Sequence, residues 1–280
     1  MQQMQQMETQ SQRGVRQFGA GIGALAVVSL LFLGLAYYVL LLMPDLLSLQ
    51  NNTTQAASTQ TASKLLPLLP TGCGLIIVLI IALIELLLGF LSLYHGREEY
   101  GEQHARDVER ASLFLVLVIV MIVVGVAASA AGSVGGIVGV FSAFSILSTV
   151  ADVLRAAFTG LLLFYLVKSF LPEGSVDKIY LAIGLYVAGP VASYLASITY
   201  APPAAYYEES SNIPFDPAWI IPSAIGAVLG FIALIVFFFL YRQAYQRFRR
   251  EEIRPIWRQP GFSPAAQVLP EQRWQPPPGG

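Results

Sequence analysis

Three ionisable side chains lie inside apolar segments of the sequence, where charged groups are rare and often functional. Glu85 is the one charged residue in the stretch LIIVLIIALIELLLGFLSL, which runs from Leu75 to Leu93. Asp152 and Arg155 share a second apolar segment, STVADVLRAAFTGLLLFYLVK. Because residues three apart lie on one face of a helix, Asp152 and Arg155 can form an ion pair. These three side chains are the candidate intramembrane site.

The sequence leaves three arrangements of these charges open. Arg155 pairs with Glu85 between helices, or pairs with Asp152 within its own helix, or bridges both acids. Along ideal helices Glu85 lies ~18 Å from Arg97, and Arg155 lies ~20 Å from Lys168, so the depths of the two groups match. An ion pair would fix how two spans dock, and burial would alternatively keep Glu85 protonated. If the groups titrate, they would instead line a proton or ion path.

Motifs for catalysis and metal binding are missing from the sequence. It contains no H-E-x-x-H, no G-x-S-x-G, no phosphate loop and no G-x-G-x-x-G after a strand. His95 and His104 both lie at or beyond the end of an apolar block, and Cys73 is the single cysteine. A zinc site needs several such ligands together. We therefore expect no enzymatic activity, no cofactor and no metal.

The elements that position the three charges are long apolar blocks. The chain is 55% hydrophobic and 12% charged, whereas soluble domains carry about 25% charged residues. About 20 apolar residues in a helix cross the ~30 Å hydrocarbon core of a bilayer. The region 133–170 holds either one span after a Gly-rich segment or two short spans. Five other blocks are clear, and they are residues 18–43, 71–94, 112–131, 179–200 and 219–241.

The basic residues favour six spans. Lys and Arg prefer the cytoplasmic side of short loops. With a single crossing in region 133–170, nearly all of the 16 Lys and Arg residues fall on one side. A seventh span would place the Arg-rich segment YRQAYQRFRREEIRPIWRQ outside. We therefore predict an all-α, polytopic integral membrane protein, a bundle of about six transmembrane helices in the cell (plasma) membrane with both termini cytoplasmic.

Three regions follow from this pattern. Residues 1–17 are predicted to be a disordered, Gln-rich N-terminal tail, residues 18–242 form the transmembrane bundle, and residues 243–280 are a basic, then Pro/Gly-rich C-terminal tail. The basic tail is interleaved with aromatic residues, which is typical of a segment that rests on anionic lipid headgroups. The loop REEYGEQHARDVER has charges of both signs and is predicted to be a solvated surface. No binding to nucleic acid is expected.

Local signals add three expectations. Pro190 lies inside the fifth span and is predicted to kink it. Asn51 and Asn52 fit the N-glycosylation pattern in a predicted outer loop. Several G-x-x-x-G patterns, including those that begin at Gly19 and Gly226, allow helices to approach closely, either within the chain or in an oligomer.

One stretch carries a family resemblance. The sequence ALIELLLGFLSLYHGREEYGEQHARDVERASLFLVLVIVMIVVG, from Ala82 to Gly125, runs from one span through a short charged loop with Gly and Tyr into the next span. It resembles the uncharacterised archaeal membrane proteins grouped as domain of unknown function 973. The resemblance covers about residues 15 to 240 and extends to the length, the number of spans and the Pro/Gly-rich C-terminus. It implies an archaeal host and carries no activity or functional residues.

Two classes of function remain. The first is a structural, scaffold or partner-binding membrane protein whose partner is another membrane protein or a second copy of the chain. Few polar groups in the spans, many Gly patterns and no catalytic motif favour it. The alternative is a small transporter or channel that uses Glu85, Asp152 and Arg155 as a proton or ion site. A water-wide cavity that reaches Glu85 would favour transport.

Overall fold

The described residues form six long helices. The computed structural model describes residues 8–51, 68–134, 138–199 and 220–258, and within these residues it contains no strand. All six helices contain a segment long and apolar enough to cross a membrane. This confirms the predicted all-α class and fits a multi-pass membrane protein. The helices are α1 (Gln10–Asn51), α2 (Leu68–His95), α3 (Glu102–Val134), α4 (Val138–Val167), α5 (Val176–Thr199) and α6 (Ile220–Arg249).

The helices pack side by side in the spatial order α2, α1, α6, α5, α4, α3. Each sequential pair α1–α2, α3–α4 and α5–α6 forms a hairpin, and α6 also packs along α1 while α4 packs along α5. Although a short connection joins α2 to α3, these two helices make little contact with each other. The bundle is therefore an open arc with α2 and α3 at its two edges. Region 133–170 contributes one helix to this arc, as expected for a single span.

The buried core lies toward one end of the helices along their length. This is the end at which α1 begins and α6 stops. Phe18 of α1 stacks on Tyr241 of α6, with ring centroids 5.4 Å apart. The Tyr241 hydroxyl donates to the carbonyl of Leu163 at 2.9 Å and so joins α6 to α4. We call this end the polar end. It comprises the start of α1, the α2–α3 connection (96–101), the α4–α5 connection (168–175) and the segment 250–258.

Away from the polar end, the helices expose apolar side chains. Phe32 in α1, Ile80 in α2 and Val126 in α3 are all more than half exposed. A membrane span must satisfy its backbone hydrogen bonds internally and can leave apolar side chains to the lipid. The part of the bundle away from the polar end has such apolar side chains on its surface.

Glycines set the close contact of α1 with its two neighbours. A Cβ atom on Gly21 would lie 2.7 Å from the side chain of Leu86 in α2, and one on Gly23 would lie 3.0 Å from Phe238 in α6. At Gly89 of α2 the contact is with backbone, since a Cβ there would lie 2.6 Å from the backbone nitrogen of Phe18. The G-x-x-x-G pattern that ends at Gly23 thus serves packing within the chain.

The bundle is longer than predicted at both ends. Helix α1 begins at Gln10 and buries Ser11 and Val15, so the prediction of disorder over residues 1–17 is wrong for its helical part. Helix α6 continues to Arg249, past the predicted boundary at 242. The cause is the same in both places, because one face of each helix end is buried: Ser11 and Val15 on α1, and Ala244 and Phe248 on α6.

Candidate functional site

Glu85, Asp152 and Arg155 do not form one site. Within α4, Nη2 of Arg155 lies 3.0 Å from Oδ1 of Asp152, and the two side chains are 45% and 46% exposed. Glu85 on α2 has neither an ion pair nor a hydrogen bond with any residue that the structure describes. Because α2 and α4 do not pack along each other in the arc, the pair and the triad expected between them are not formed. Of the three arrangements, only the pair within α4 is observed.

The hydroxyl groups near this pair form hydrogen bonds with neighbouring residues. Oγ1 of Thr159 donates to the carbonyl of Arg155 at 2.8 Å, one turn back along α4. The hydroxyls of Ser129 and Ser148 lie 3.1 Å apart and join α3 to α4. These groups do not turn toward Glu85, so the described part of the chain has no cluster of convergent polar groups in the middle of the spans.

The structure describes Pro190 and only part of the predicted glycosylation site. Pro190 lies within α5, which is helical from Val176 to Thr199. Since proline has no N–H, the carbonyl of Tyr186 lacks its usual helical partner; the predicted kink itself stays a prediction. Asn52 lies outside the described residues, and of Asn51 only the backbone is described, as the last residue of α1.

The α2–α3 connection, predicted to be a solvated surface, organises the polar end. Both carboxylate oxygens of Glu99 accept hydrogen bonds from the first turn of α1, at 3.1 Å from the Gln10 nitrogen and 2.9 Å from the Ser11 nitrogen. The carboxylate also interacts favourably with the partial positive charge of a helix N-terminus. The Glu99 carbonyl accepts from the Ile256 nitrogen at 2.9 Å. Glu99 therefore joins α1, the connection and the segment after α6.

Tyr100 is the centre of an aromatic cluster in this connection. Its ring meets the rings of Phe170 and Phe248 edge-on, each at 5.3 Å between centroids. Its hydroxyl lies 2.9 Å from Oγ1 of Thr9. Burial raises the pKa of Tyr100 to about 12, and the hydrogen bond to Thr9 opposes this change. The phenol therefore stays neutral at physiological pH and can donate a hydrogen bond.

His104 is buried against the same cluster. It is 1% exposed, and its ring centroid lies 4.4 Å from that of Phe170. Neither ring nitrogen has a hydrogen-bond partner among the described residues. The solvated-surface prediction is thus wrong for His104. The missed signal is helical spacing, because His104, Val108 and Ala111 share one face of α3 and all three are buried.

Among the described residues Asp107 is the one buried carboxylate, the role expected for Glu85. Its side chain is 3% exposed, and Oδ1 lies 3.9 Å from Nζ of Lys168 and 3.9 Å from Nη1 of Arg110. Ser169 donates its hydroxyl to Oδ2 at 3.0 Å. The contacts with Lys168 and Ser169 fasten the start of α3 to the α4–α5 connection. Asp107 also lines a cavity of about 420 Å³, together with Glu102, Gln103, Arg106, Arg110 and Lys168.

A larger cavity, of about 730 Å³, lies at the polar end between the start of α1, Tyr100 and the end of α6. We call it the arginine cavity, because four arginines line it along with two glutamates: Arg16, Arg249, Arg254 and Arg258 with Glu8 and Glu251. The sequence indicated a basic C-terminal segment. It did not indicate a cavity, which arises because the segment 250–258 folds back onto the α2–α3 connection.

No family model, no curated protein and no solved structure matches this chain. The resemblance to domain of unknown function 973 stays a prediction from the sequence.

Proposed function

We propose that the chain is a non-catalytic, partner-binding subunit of a membrane assembly and that its first partner is a second copy of itself. The supporting observation is the exposure of charge in the middle of the spans. Glu85 has no partner in the described structure, and the Asp152–Arg155 pair is about half exposed. An acid at the centre of a span costs about 2.5–3.5 kcal/mol on the insertion scale. A facing copy would remove these groups from lipid.

The charges are complementary between two copies. Glu85 lies about 15 Å from the end of α2 at His95, and Arg155 lies about 18 Å from the end of α4 at Val167. Both helix ends belong to the polar end, so the two groups have similar depth. An arginine has five N–H donors and can hold a second carboxylate beside Asp152. Under two-fold symmetry, Glu85 of each copy would meet Arg155 of the other.

We place the polar end in the cytoplasm and the bundle in the cell membrane, with both termini cytoplasmic. Arginine and lysine side chains gather at this end, on the start of α1, on both described connections and on the end of α6. Basic residues near spans favour the cytoplasmic side. The archaeal host implied by the family resemblance stays a prediction.

A double-mutant cycle on self-association tests the proposal. Fluorescently labelled full-length protein in liposomes is diluted with lipid, and energy transfer reports the dimer. We expect Glu85→Gln and Arg155→Gln each to weaken association about tenfold, which corresponds to roughly 1.4 kcal/mol. If the side chains meet, the double variant weakens it by much less than the product of the single effects. The control is Glu98→Gln, which neutralises an exposed acid at the polar end.

Two results would contradict the proposal. A wild-type protein that stays monomeric at every density would exclude the second copy as partner. Single effects that simply multiply in the double variant would show that Glu85 and Arg155 do not meet.

A small transporter or channel is the second candidate. One observation favours it, because an unpaired acid in the middle of a span can take up and release a proton. Both cavities described above lie at the polar end, and none of Glu85, Asp152 and Arg155 lines them. Proton flux into liposomes that carry a pH-sensitive dye would test this candidate. A flux that wild type supports and Glu85→Gln abolishes would replace the assembly proposal.

A further inference from the structure

We infer that the arginine cavity binds a terminal phosphate group, either the phosphate monoester headgroup of an anionic lipid or a free phosphate anion. The cavity lies where the spans meet the polar end. Gln12 and Arg16 are near the start of the α1 span, and Tyr245 and Arg249 are at the end of the α6 span. A ligand in this cavity would therefore be at the depth of lipid headgroups, yet still near the aqueous phase.

The cavity carries more positive than negative charge. Arg16 pairs with Glu8 at 3.1 Å, and Arg254 approaches Glu251 at 3.9 Å. In the described part of the chain, Arg249 has no carboxylate partner within ion-pair distance, and the same holds for Arg258.

Four arginines against two glutamates leave two positive charges, which match the charge of a phosphate monoester near pH 7, about −1.5 to −2. The planar guanidinium group also binds phosphate through two parallel hydrogen bonds, which a lysine cannot do.

The wall that carries Arg258 is held in place. Residues Ile256–Arg258 form a 3-10 turn, closed by the Arg258 nitrogen on the Pro255 carbonyl at 2.9 Å. The Ile256 nitrogen fastens this turn to Glu99 at 2.9 Å, and Pro255 itself is buried. The arginine is thus presented by an ordered turn.

Tyr100 lines the same cavity and offers a neutral hydroxyl. Burial is the main influence on its pKa and raises it, while the positive charge of Arg258 acts in the other direction. Tyr100 and Arg258 both line the cavity. A phosphate oxygen between the two groups would accept hydrogen bonds from both.

The test uses the full chain in phosphatidylcholine nanodiscs. Trp219→Phe and Trp274→Phe leave Trp257 as the fluorescent reporter, next to Arg258 in the same turn. One arm adds phosphatidic acid to the nanodisc lipid, and the other adds inorganic phosphate to the buffer. Emission of Trp257 reports binding, and a rise in unfolding temperature provides a second measurement of it.

We expect a saturable response in at least one arm. A response to phosphatidic acid alone identifies a lipid headgroup as the ligand, and a response to inorganic phosphate alone identifies the free anion. Arg249→Gln and Arg258→Gln should each weaken binding about tenfold or more, since each removes a charge-assisted hydrogen bond. The matched control is Arg250→Gln, which removes the same charge from a neighbouring side chain that is 72% exposed and lies outside the cavity.

Either of two results would overturn the inference. One is a wild-type protein that responds to neither probe. The other is a loss of binding in Arg250→Gln as large as in Arg249→Gln and Arg258→Gln, which would show a diffuse surface charge. The self-association cycle on Glu85 and Arg155 does not involve this cavity, so the two proposals can fail independently.

Discussion

The polar end and the middle of the spans differ in whether their charged side chains have partners within the chain. At the polar end, Glu99 accepts hydrogen bonds from two backbone nitrogens of α1, and Asp107 is buried beside Lys168, Arg110 and Ser169. In the middle of the spans, Glu85 has no partner in the described structure, and the Asp152–Arg155 pair is half exposed. Glu99 and Asp107 therefore have partners within the chain. Glu85 and the Asp152–Arg155 pair stay partly exposed to lipid or to another protein.

This difference indicates separate roles for the two regions. Hydrogen bonds and aromatic contacts at the polar end fix which helices are neighbours, and glycine contacts hold α1 against α2 and α6. Helices in lipid gain little from apolar contact alone and associate through close packing and polar pairs. The open charges in the middle of the spans are therefore suited to contact between molecules, while the polar end is suited to stability within one molecule.

The largest loss of stability is expected from Gly89→Leu. A side chain at Gly89 meets the backbone of Phe18 within 3 Å, so α1 and α2 must separate. We expect a fall of about 3 kcal/mol in the free energy of unfolding. Thermal unfolding in nanodiscs measures it. Gly34→Leu is the matched control, because a Cβ at Gly34 meets nothing within 4 Å. Equal losses in both variants would show that the close α1–α2 contact is not important.

Asp107→Asn should lower the free energy of unfolding by about 2 kcal/mol, less than Gly89→Leu. The substitution removes the charge from the hydrogen bond and ion pairs of Asp107 but keeps the shape of the side chain. Denaturation in a mild detergent gives the value. Glu109→Gln on the same helix neutralises an exposed acid and should change stability little. If the two substitutions had the same effect, the buried carboxylate would not hold α3 to the α4–α5 connection.

Glu99→Gln should reduce stability by about 1 kcal/mol, since a neutral amide caps a helix N-terminus less well than a carboxylate. Hydrogen exchange should be faster at the backbone amides of Gln10 and Ser11. Glu98→Gln, next to it and largely exposed, is the control. Unchanged exchange in Glu99→Gln would show that the start of α1 does not depend on this cap.

The smallest effect on folding is expected from the double change of Asp152→Asn with Arg155→Gln. Removing both members of an ion pair leaves no unpaired charge and is often neutral, so we expect less than about 1 kcal/mol on unfolding. The same double variant should dissociate the proposed dimer. A large loss in unfolding free energy would place this pair with the stabilising contacts of the polar end and remove the contrast between the two regions.

The sequence predicts the spans well because length and hydropathy alone decide whether a helix crosses a membrane. It includes the within-helix pair among three open arrangements, because Asp152 and Arg155 are three residues apart. It does not predict the neighbours of Glu85, because matched depth does not determine which helices pack together in the arc. It also misses the burial of Asp107 and His104, since a loop of mixed charge looks solvated until its partners on other helices are known.

Disulfide cross-linking in native membranes tests the contact between copies most directly. Cys73, an exposed free cysteine, is replaced by Ser in two chains that carry different tags. One chain carries Glu85→Cys, the other Arg155→Cys, and a control pair replaces Arg155→Cys by Val123→Cys on the exposed face of α3. We predict that mild oxidation yields the mixed dimer with Arg155→Cys and little with Val123→Cys. A mixed dimer that forms equally in both pairs, or in neither, would contradict the assembly of two copies through Glu85 and Arg155.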